Sequence, residues 1–529
     1  MREWKNDGSM TSRGFIRLAA ICLAASSARA EPAPRHVVLI VWDGMRADFA
    51  TEQYAPTLAK LARTGVRFRN HHSVYPTATN VNGAALATGC YPERNSICAN
   101  LEFRPGIDPR HPFDTSEPEA MKRGGETSGG KYLPVPTFVE RLRDAGKTVA
   151  LAGTKSVALL FDRHSDWMDV PVRNRRLTIF AGAPIKTEQR DLLIKLLGPF
   201  FDDPRATAAQ RNEFATRALT EFLWRDGVAD FSLLWLSEPD MSEHNFAPGS
   251  PQAVAAIKSV DFDLDSILSA LEKKHARDST DVLVVSDHGF STIRRSIDLV
   301  ALLNTAGFHA GTSLPPAPKP GDVVAAGNAG TVLFYVHEHD HETTQRLVDW
   351  LQHSDFAGTI FTRDKADGTF PLRAIHLATA DSPDVVMAFR SYAETNQFGA
   401  PGLIDADWNR PAGEGTHATL AVTDIHNIFI AAGPDFRSAF EDDAPTGNID
   451  IAPTVLHLLG IEGNGHFDGR IVTEALQKRS NDAIEVKQET LTAAHNEWQQ
   501  VLKTSRVGET IYFDPAAAPT NHHAPITDH

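Results

Sequence analysis

The sequence is poor in cysteine and in positive charge. Only 3 cysteines occur in 529 residues, and 52 lysines and arginines stand against 67 aspartates and glutamates, so the formal charge is −15 at pH 7. A protein that binds a nucleic-acid polymer needs a basic face to neutralise the phosphates, so such a partner is not expected. A small anionic substrate remains compatible with the sequence, because bound cations can reverse the charge of a local site.

The sequence also lacks a run of about 20 apolar residues, the length that crosses a membrane as a helix. A shorter apolar stretch, LAAICLAASS, follows Arg13 and Arg17 and ends at a small-residue ARA site. This arrangement is typical of a secretory signal peptide. We therefore predict a signal peptide over residues 1–30, cleavage near Ala30, and a periplasmic or secreted protein without a membrane span.

Two cysteines, Cys90 and Cys98, lie outside the predicted signal peptide. An oxidising compartment would allow them to form a disulfide. Sequence spacing does not fix the distance or direction of the two side chains, however. The sequence therefore leaves open whether these cysteines are paired.

Continuous apolar runs alternate with helix-like segments along the chain. HVVLIV, DFSLLWL and STDVLVV are typical of strands that are buried on both faces of a parallel sheet. The alternation predicts an α/β fold with a doubly wound, mostly parallel sheet. We expect the core over residues 31–307 and 401–478, a small α/β cap insertion over residues 308–400, and a C-terminal helix and tail over residues 479–529.

Acidic and imidazole side chains follow three of the predicted strands. Asp43 follows VLIVW, Asp240 follows LLWLSEP, and the pair Asp287 and His288 follows VLVVS. Ligands of open α/β sheets bind beyond the carboxyl ends of the strands. These side chains are therefore expected to meet at one edge of the sheet.

Two further imidazoles, those of His244 and His417, are candidates for the same site. Asp240 and His244 are four residues apart, so one helical turn places both on the same face. His288 can share a site with Asp287 only if the chain turns there, which Gly289 permits. His417 lies in the glycine-bracketed loop GEGTHAT. The complete candidate ligand set is Asp43, Asp240, His244, Asp287, His288 and His417.

This mixed set of oxygen and nitrogen ligands predicts a metal site without thiolates. Such a set suits zinc best, with manganese or iron as alternatives. Six ligands are too many for one tetrahedral ion and about right for two. The expected cofactor is therefore two Zn²⁺ per chain.

The segment SVYPTATNVNGAALATG places Thr77 and Thr79 at the entrance of a predicted helix. Free backbone N–H groups and the positive end of the helix dipole favour an anion there. Either threonine could be a structural residue or a nucleophile.

Five ordered motifs resemble those of the nucleotide pyrophosphatase/phosphodiesterase family of the alkaline phosphatase superfamily. They are VWDGMRADF, YPTATNVN, EPDMSEH, VSDHGF and GTHAT. The resemblance extends from about His36 to Leu476 and implies an alkaline-phosphatase-like core with two zinc ions. By this resemblance, Asp240, His244 and His417 hold one ion. Asp43, Asp287, His288 and a threonine hold the other.

The resemblance also assigns the nucleophile. In the family, the nucleophilic threonine lies three residues before an asparagine that helps to bind the phosphoryl oxygens. This spacing selects Thr79 with Asn82, and Asn100 matches a further position near the site. The implied activity is hydrolysis of a small phosphodiester through a covalent phosphothreonine intermediate on Thr79, by a type I phosphodiesterase/nucleotide pyrophosphatase-like metallohydrolase.

Several departures from the family bear on the substrate. Asn80 stands where relatives that act on nucleotides carry an aromatic residue, which leaves the nucleotide open. Monoesterases of the superfamily add a lysine/arginine pair, and the segment FDRHSDWMD after TVALAG offers only Arg163, which favours a diester. A phosphomonoesterase, a phosphonate hydrolase and a non-catalytic metal-binding scaffold remain as alternatives. The C/S-x-P-x-R sequence of sulfatases is missing.

Overall fold

The computed structural model describes residues 35–162, 178–179, 187–198, 205–462, 467–478, 484–516 and 519–520. The predicted signal peptide and Arg163 lie outside these residues. Within them, no helix combines the length and the apolar character that crossing a membrane requires.

The chain alternates strands and helices over most of its length. The strands are β1 His36–Trp42, β2 Val66–Phe68, β3 His71–His72, β4 Leu101–Glu102, β5 Phe113–Asp114, β6 Val149–Gly153, β7 Thr178–Ile179, β8 Phe231–Leu236, β9 Thr280–Val285, β10 Ser291–Ile297, β11 Ala310–Gly311, β12 Val323–Asn328, β13 Thr331–Val336, β14 Ala357–Thr362, β15 Phe370–Pro371, β16 Val385–Phe389, β17 Ser391–Thr395, β18 Pro401–Asp407, β19 Gly415–Thr416, β20 Phe429–Ala432, β21 Phe440–Asp442, β22 Thr446–Gly447, β23 Val486–His495, β24 Trp498–Val507 and β25 Thr510–Phe513. The α-helices are α1 Pro56–Thr64, α2 Thr79–Thr88, α3 Pro92–Asn95, α4 Pro118–Thr127, α5 Phe138–Asp144, α6 Thr187–Leu197, α7 Ala208–Arg217, α8 Asp240–Phe246, α9 Pro251–Lys273, α10 Leu299–Thr305, α11 His341–Gln352, α12 Val422–Ile425 and α13 Ile451–Leu458. Short 3-10 helices span Ala47–Phe49, Ser156–Phe161, Arg277–Ser279, His337–His339, Leu372–Ile375, Asn448–Asp450 and Thr473–Ala475, and a π-helix spans Ala218–Leu223.

The main sheet confirms the predicted α/β fold. It has eight strands in the order β21-β2-β20-β9-β1-β8-β6-β7. The central strands β9, β1, β8 and β6 are parallel to one another, and β20 runs antiparallel to β9. The carboxyl ends of four neighbouring strands therefore meet at one edge.

Both faces of the central strand β1 are buried, which explains its unbroken apolar run. Val37, Leu39 and Val41 belong to the core that packs against α2, α5 and α13. The residues between them, Val38, Ile40 and Trp42, belong to the core that packs against α1, α7 and α9. A strand between two helical layers needs apolar side chains on both sides.

The segment predicted to form a cap insertion, residues 308–400, contributes strands to two smaller sheets. Six strands between Ala310 and Phe389 pair in the order β11-β12-β13-β16-β14-β15. The next strands, β17 and β18, pair instead with β10 and β19. Strand β17, near the end of the predicted insertion, therefore belongs to the sheet whose strand β19 directly precedes His417.

The C-terminal segment corrects the prediction of a helix within residues 479–529. Strands β23, β24 and β25 form an antiparallel sheet over Val486–Phe513. In β24 the side chains of Trp498, Gln500 and Leu502 are buried and alternate with more exposed neighbours. This period of two buries one face of a strand and matches no helical face.

No disulfide joins Cys90 and Cys98 in the structure, and both residues carry a thiol group. Both side chains are buried, and burial raises the pKa of Cys90 to about 11 and that of Cys98 further. The two thiols are therefore protonated at neutral pH, which lowers their reactivity, because the thiolate is the nucleophile.

Candidate active site

The carboxyl edge of the main sheet brings the predicted ligands together. Strand β1 leads into Asp43, β8 leads into the helix that begins at Asp240, and β9 leads into Asp287. The backbone N–H of Asp240 donates to the carbonyl of Asp43 at 3.0 Å. This bond joins the turns that follow β1 and β8.

Asp240, His244 and His417 form one compact group. Asp240 Oδ1 lies 3.4 Å from His244 Nε2 and 3.7 Å from His417 Nε2. Asp240 and His244 stand one turn apart on α8, as the spacing predicts. The three ligand atoms all lie within 4.8 Å of one another, close enough to bind a single ion.

Asp43, Asp287 and His288 form a second group beside the first. His288 Nε2 lies 3.2 Å from Asp287 Oδ2 and 3.7 Å from Asp43 Oδ1. The imidazole ring of His288 stacks on that of His417, with the ring centres 3.6 Å apart. The stacked rings of His288 and His417 therefore join the two groups into one continuous site.

Strand pairing brings His417 to this place, although it is distant in sequence from the other ligands. Strand β10 begins three residues after His288, and its Ser291 pairs with Thr416 of β19. Gly289 has no room for a side chain, because a Cβ atom would lie 2.0 Å from the carbonyl oxygen of Thr423. Close backbone packing thus requires glycine at the position where the turn is predicted.

All three imidazoles present Nε2 to the site. The Nδ1 atoms of His244, His288 and His417 lie 2.7–3.0 Å from the backbone carbonyl oxygens of Gly415, Gly289 and Thr77. A carbonyl oxygen only accepts, so each Nδ1 carries the proton and each Nε2 keeps a lone pair. Burial lowers the pKa of His244 and His288 to about 3 and that of His417 well below its usual value, which keeps the rings neutral.

The carboxylates also fit a cation. Asp240 Oδ1 and Asp287 Oδ2 are buried and have no hydrogen-bond partner among the described residues. Burial raises the pKa of Asp43 and raises that of Asp287 to about 7, whereas burial of Asp240 is outweighed by Lys155 and His244, which lower its pKa. Buried carboxylate oxygens without donors are costly unless a cation compensates them. This arrangement suits divalent metal ions with mixed oxygen and nitrogen ligands.

Thr79 stands at the first position of α2, directly over the second group. Its Oγ1 lies 3.1 Å from His288 Nε2, and because that nitrogen is unprotonated, the hydroxyl donates to it. Thr77 faces away, and its hydroxyl donates to the carbonyl oxygen of Thr419 at 2.8 Å. Of the two hydroxyls, that of Thr79 is directed at a predicted metal ligand and that of Thr77 at a backbone carbonyl.

The contacts of Asn82 do not fit its predicted role in substrate binding. Its Nδ2 donates to the carbonyl oxygens of Val74 and Ala78, and its Oδ1 accepts from Val74 N and from Asn448 Nδ2. The side chain is completely buried. All four hydrogen-bonding positions of the amide are therefore engaged, and Asn82 fixes the loop that precedes α2.

Asn100 keeps a free donor beside the nucleophile. Its Oδ1 accepts from the backbone N–H of Asn80 at 2.8 Å, next to Thr79 in the chain. Its Nδ2 has no partner among the described residues, and the side chain is partly exposed. Asn100 can thus donate to a phosphoryl oxygen held over Thr79.

Lys155 is a site residue that the sequence analysis missed. Its Nζ lies 2.7 Å from Asp240 Oδ2 and 2.9 Å from Asp43 Oδ1, and these carboxylates raise its pKa although burial opposes them. Lys155 follows β6, whose Gly153 pairs with Trp235 of β8. Asp43 was selected because it follows a predicted strand at the edge where ligands bind. This strand-end rule would also have selected Lys155 in AGTKS. The basic residue predicted from the sequence, Arg163, lies eight residues further along.

The chain matches one protein family over more than half of its length. The sequence profile of "Type I phosphodiesterase / nucleotide pyrophosphatase" matches residues 37–393. The chain belongs to this family. It is therefore a hydrolase of phosphodiesters of the nucleotide pyrophosphatase/phosphodiesterase type, with the α/β core of the alkaline phosphatase superfamily.

Two relatives of this nucleotide pyrophosphatase/phosphodiesterase are distant in sequence but align with most of the chain. Human ectonucleotide pyrophosphatase/phosphodiesterase family member 5 is 22% identical over 485 residues, which are 86% of this chain and 81% of the relative. The bis(5'-adenosyl)-triphosphatase of Xenopus laevis is 24% identical over 445 residues, which are 81% of this chain and 78% of the relative. The structure of murine family member 5 has a TM-score of 0.59 at 18% identity and covers 84% of this chain and 100% of its own. The structural likeness supports the fold.

Proposed function

We propose that this hydrolase is an exported two-zinc enzyme that cleaves small phosphodiesters through a covalent phosphothreonine on Thr79. The observation that carries the proposal is the position of the Thr79 hydroxyl, 3.1 Å from His288 Nε2 and at the N-terminus of α2. Export rests on the signal-peptide pattern of residues 1–30 alone.

Two ions would be held by the two groups of side chains. Asp240, His244 and His417 would hold one ion. Asp43, Asp287, His288 and Thr79 would hold the other. When bound, zinc would lower the pKa of the threonine hydroxyl and compensate the negative charge of the phosphoryl group.

Groups of the protein itself bind the phosphoryl group, attack phosphorus and orient the imidazoles. The free N–H groups at the start of α2 and Asn100 Nδ2 bind the phosphoryl oxygens over Thr79. The Thr79 hydroxyl loses its proton to solvent, its oxygen attacks phosphorus, and the bond from phosphorus to the leaving oxygen breaks. The leaving alkoxide takes a proton from solvent, and water then hydrolyses the phosphothreonine and restores the hydroxyl. The carbonyl partners of the three imidazoles keep each Nε2 pointed into the site while charge develops.

Relatives indicate the range of phosphoanhydride and phosphodiester substrates. The Xenopus relative is a bis(5'-adenosyl)-triphosphatase, and an inactive variant of murine family member 5 has been solved in complex with AMP. In this chain the residue after Thr79 is Asn80, which offers no ring on which a base could stack. We therefore propose a phosphodiester whose recognition does not depend on base stacking next to the nucleophile.

The test compares Thr79→Ala with the matched control Thr77→Ala. On bis-p-nitrophenyl phosphate, with two zinc ions loaded, Thr79→Ala should lose at least about a thousandfold in kcat, because it removes the nucleophile. Thr77→Ala loses only a hydroxyl-to-carbonyl bond and should stay within about tenfold of the unchanged enzyme. Rapid acid quenching followed by mass spectrometry should find the phosphoryl adduct on Thr79. Wild-type turnover by Thr79→Ala at full zinc occupancy would refute the assignment.

Lys155 favours hydrolysis of phosphomonoesters as a second candidate function. The ammonium group faces the same cleft as Thr79 and contacts a carboxylate of each metal group. A monoester carries one more negative charge than a diester, and a lysine there would complement it. Comparing kcat/KM for mono- and bis-p-nitrophenyl phosphate separates the two functions: a higher value for the monoester would favour this candidate.

A further inference from the structure

The residue next to the nucleophile is tied into a polar network at the rim of the cleft. The Asn80 side chain is 4% exposed. Its Nδ2 donates to Asp114 Oδ1 at 2.9 Å and to Thr115 Oγ1 at 3.0 Å. Its backbone N–H donates to Asn100 Oδ1. A single buried side chain thus links Asp114 to the turn that carries Thr79.

Asp114 presents one carboxylate oxygen in a fixed position. Its Oδ1 accepts hydrogen bonds from Asn80 Nδ2, from Ser116 N at 2.8 Å and from Ser116 Oγ at 2.9 Å. Its Oδ2 accepts no hydrogen bond from the part of the chain that the structure describes, and Asp114 is exposed. The side chain is therefore held in place by one oxygen, which leaves the other oriented and available.

Strand pairing places this carboxylate beside the proposed phosphoryl donor. Asp114 on β5 pairs with Leu101 on β4, the residue after Asn100. The backbone N–H of Thr115 donates to the carbonyl oxygen of Asn100 at 2.9 Å. An ester substituent on a phosphoryl group that is bound by Asn100 would therefore leave the site past Asp114.

We propose that Asp114 is a specificity-determining residue that accepts a hydrogen bond from a hydroxyl or ammonium group on the phosphodiester's ester substituent. The inference rests on the proposed function and narrows its substrate class. A carboxylate at this position repels a substituent that carries further phosphates and attracts one that carries donors. The preferred substrates are thus esters of small amino alcohols or polyols.

The test uses three p-nitrophenyl phosphodiesters with the same leaving group. Their second substituents are propyl, 3-hydroxypropyl and 3-aminopropyl, so only the donor at the end of the chain differs. We expect the zinc-loaded full-length enzyme to show a kcat/KM for at least one donor-bearing ester about tenfold above that for the propyl ester. The ester with the larger ratio identifies the donor as hydroxyl or ammonium.

Asp114→Asn should reduce this ratio to about twofold or less, because an amide attracts a donor more weakly than a carboxylate does. A loss of folded protein lowers the turnover of the propyl ester and of the donor-bearing esters equally. The ratio of their kcat/KM values therefore does not depend on the folded fraction. Asp108→Asn is the matched control, because Asp108 Oδ1 also accepts backbone N–H groups two and three residues ahead. The control should keep the wild-type ratio.

Two results would overturn the proposal: a wild-type ratio near one for both donors, or an unchanged ratio in Asp114→Asn. Either result with good turnover of the propyl ester refutes the role of Asp114 alone. Failure of all three esters in the zinc-loaded enzyme would instead count against the proposed phosphodiesterase function.

Discussion

Replacing Asn82 with alanine should damage stability far more than chemistry. The change deletes four buried hydrogen bonds, two from the amide to Val74 and Ala78 and two to its oxygen from Val74 and Asn448. At about 1 kcal/mol for each bond, the unfolding free energy should fall by about 4 kcal/mol. An unfolding entropy of about 2 cal/mol/K per residue gives about 1 kcal/mol/K for a chain of this size. The thermal midpoint should therefore fall by about 4 °C.

Asn100→Ala is the matched control and should show the opposite pattern. Asn100 makes one hydrogen bond, with the backbone of Asn80, and is partly exposed. Its removal should lower the midpoint by about 1 °C, whereas the loss of a phosphoryl donor should reduce kcat by about 100- to 1,000-fold.

Differential scanning calorimetry and turnover of bis-p-nitrophenyl phosphate measure the two effects on the same preparations. Folded Asn82→Ala should keep kcat/KM within about tenfold of the unchanged enzyme, because its amide does not face the substrate. An unchanged midpoint combined with a 100-fold loss of kcat in Asn82→Ala would refute this reasoning. It would instead restore Asn82 as a direct phosphoryl ligand.

Two further predictions concern charges in and near the site. Lys155→Met should lower kcat/KM for mono-p-nitrophenyl phosphate about 10- to 100-fold more than for the bis ester, since one charge-assisted contact is lost. Equal losses for the two esters at equal zinc content would contradict a role of Lys155 in recognising the additional negative charge of the monoester. Burial lowers the pKa of His71 to about 3, so unfolded His71 binds a proton that folded His71 does not, and the unfolding free energy should fall as pH falls from about 6.5 towards 3. His71→Gln should remove about one proton from the slope of unfolding free energy against pH in denaturant titrations between pH 4 and 6, and an unchanged slope would show that His71 does not titrate in this way.

The predicted ligands come together in the structure because their positions follow from strand topology. Parallel strands end at a common edge, so Asp43, Asp240 and Asp287 could be placed together from apolar runs alone. His244 followed from helical spacing. His417 was a candidate only as a histidine in a glycine-bracketed loop, because its position depends on the pairing of β10 with β19, which no local pattern shows.

Three features of the structure were not predicted from the sequence: the contacts of Asn82, the position of Lys155 and the C-terminal sheet. Asn82 has the spacing of a phosphoryl ligand, but Asn448, more than 350 residues away, engages its oxygen, and no local pattern shows this contact. Lys155 obeys the strand-end rule, but the basic residue expected after TVALAG was placed further along, at Arg163 in FDRHSDWMD. The C-terminal sheet forms because Trp498 and Leu502 bury one face of β24, and tertiary burial overrides local helical propensity.

The pairing of β10 with β19 also constrains when the enzyme can acquire metal during its synthesis. A nascent chain that has emerged only as far as the insertion sheet already contains Asp240 and His244 but not His417. Such an intermediate lacks one of the three side chains of the first group and offers an ion only partial coordination. The first group is therefore complete only after the segment that carries β19 has been synthesised and has paired with β10.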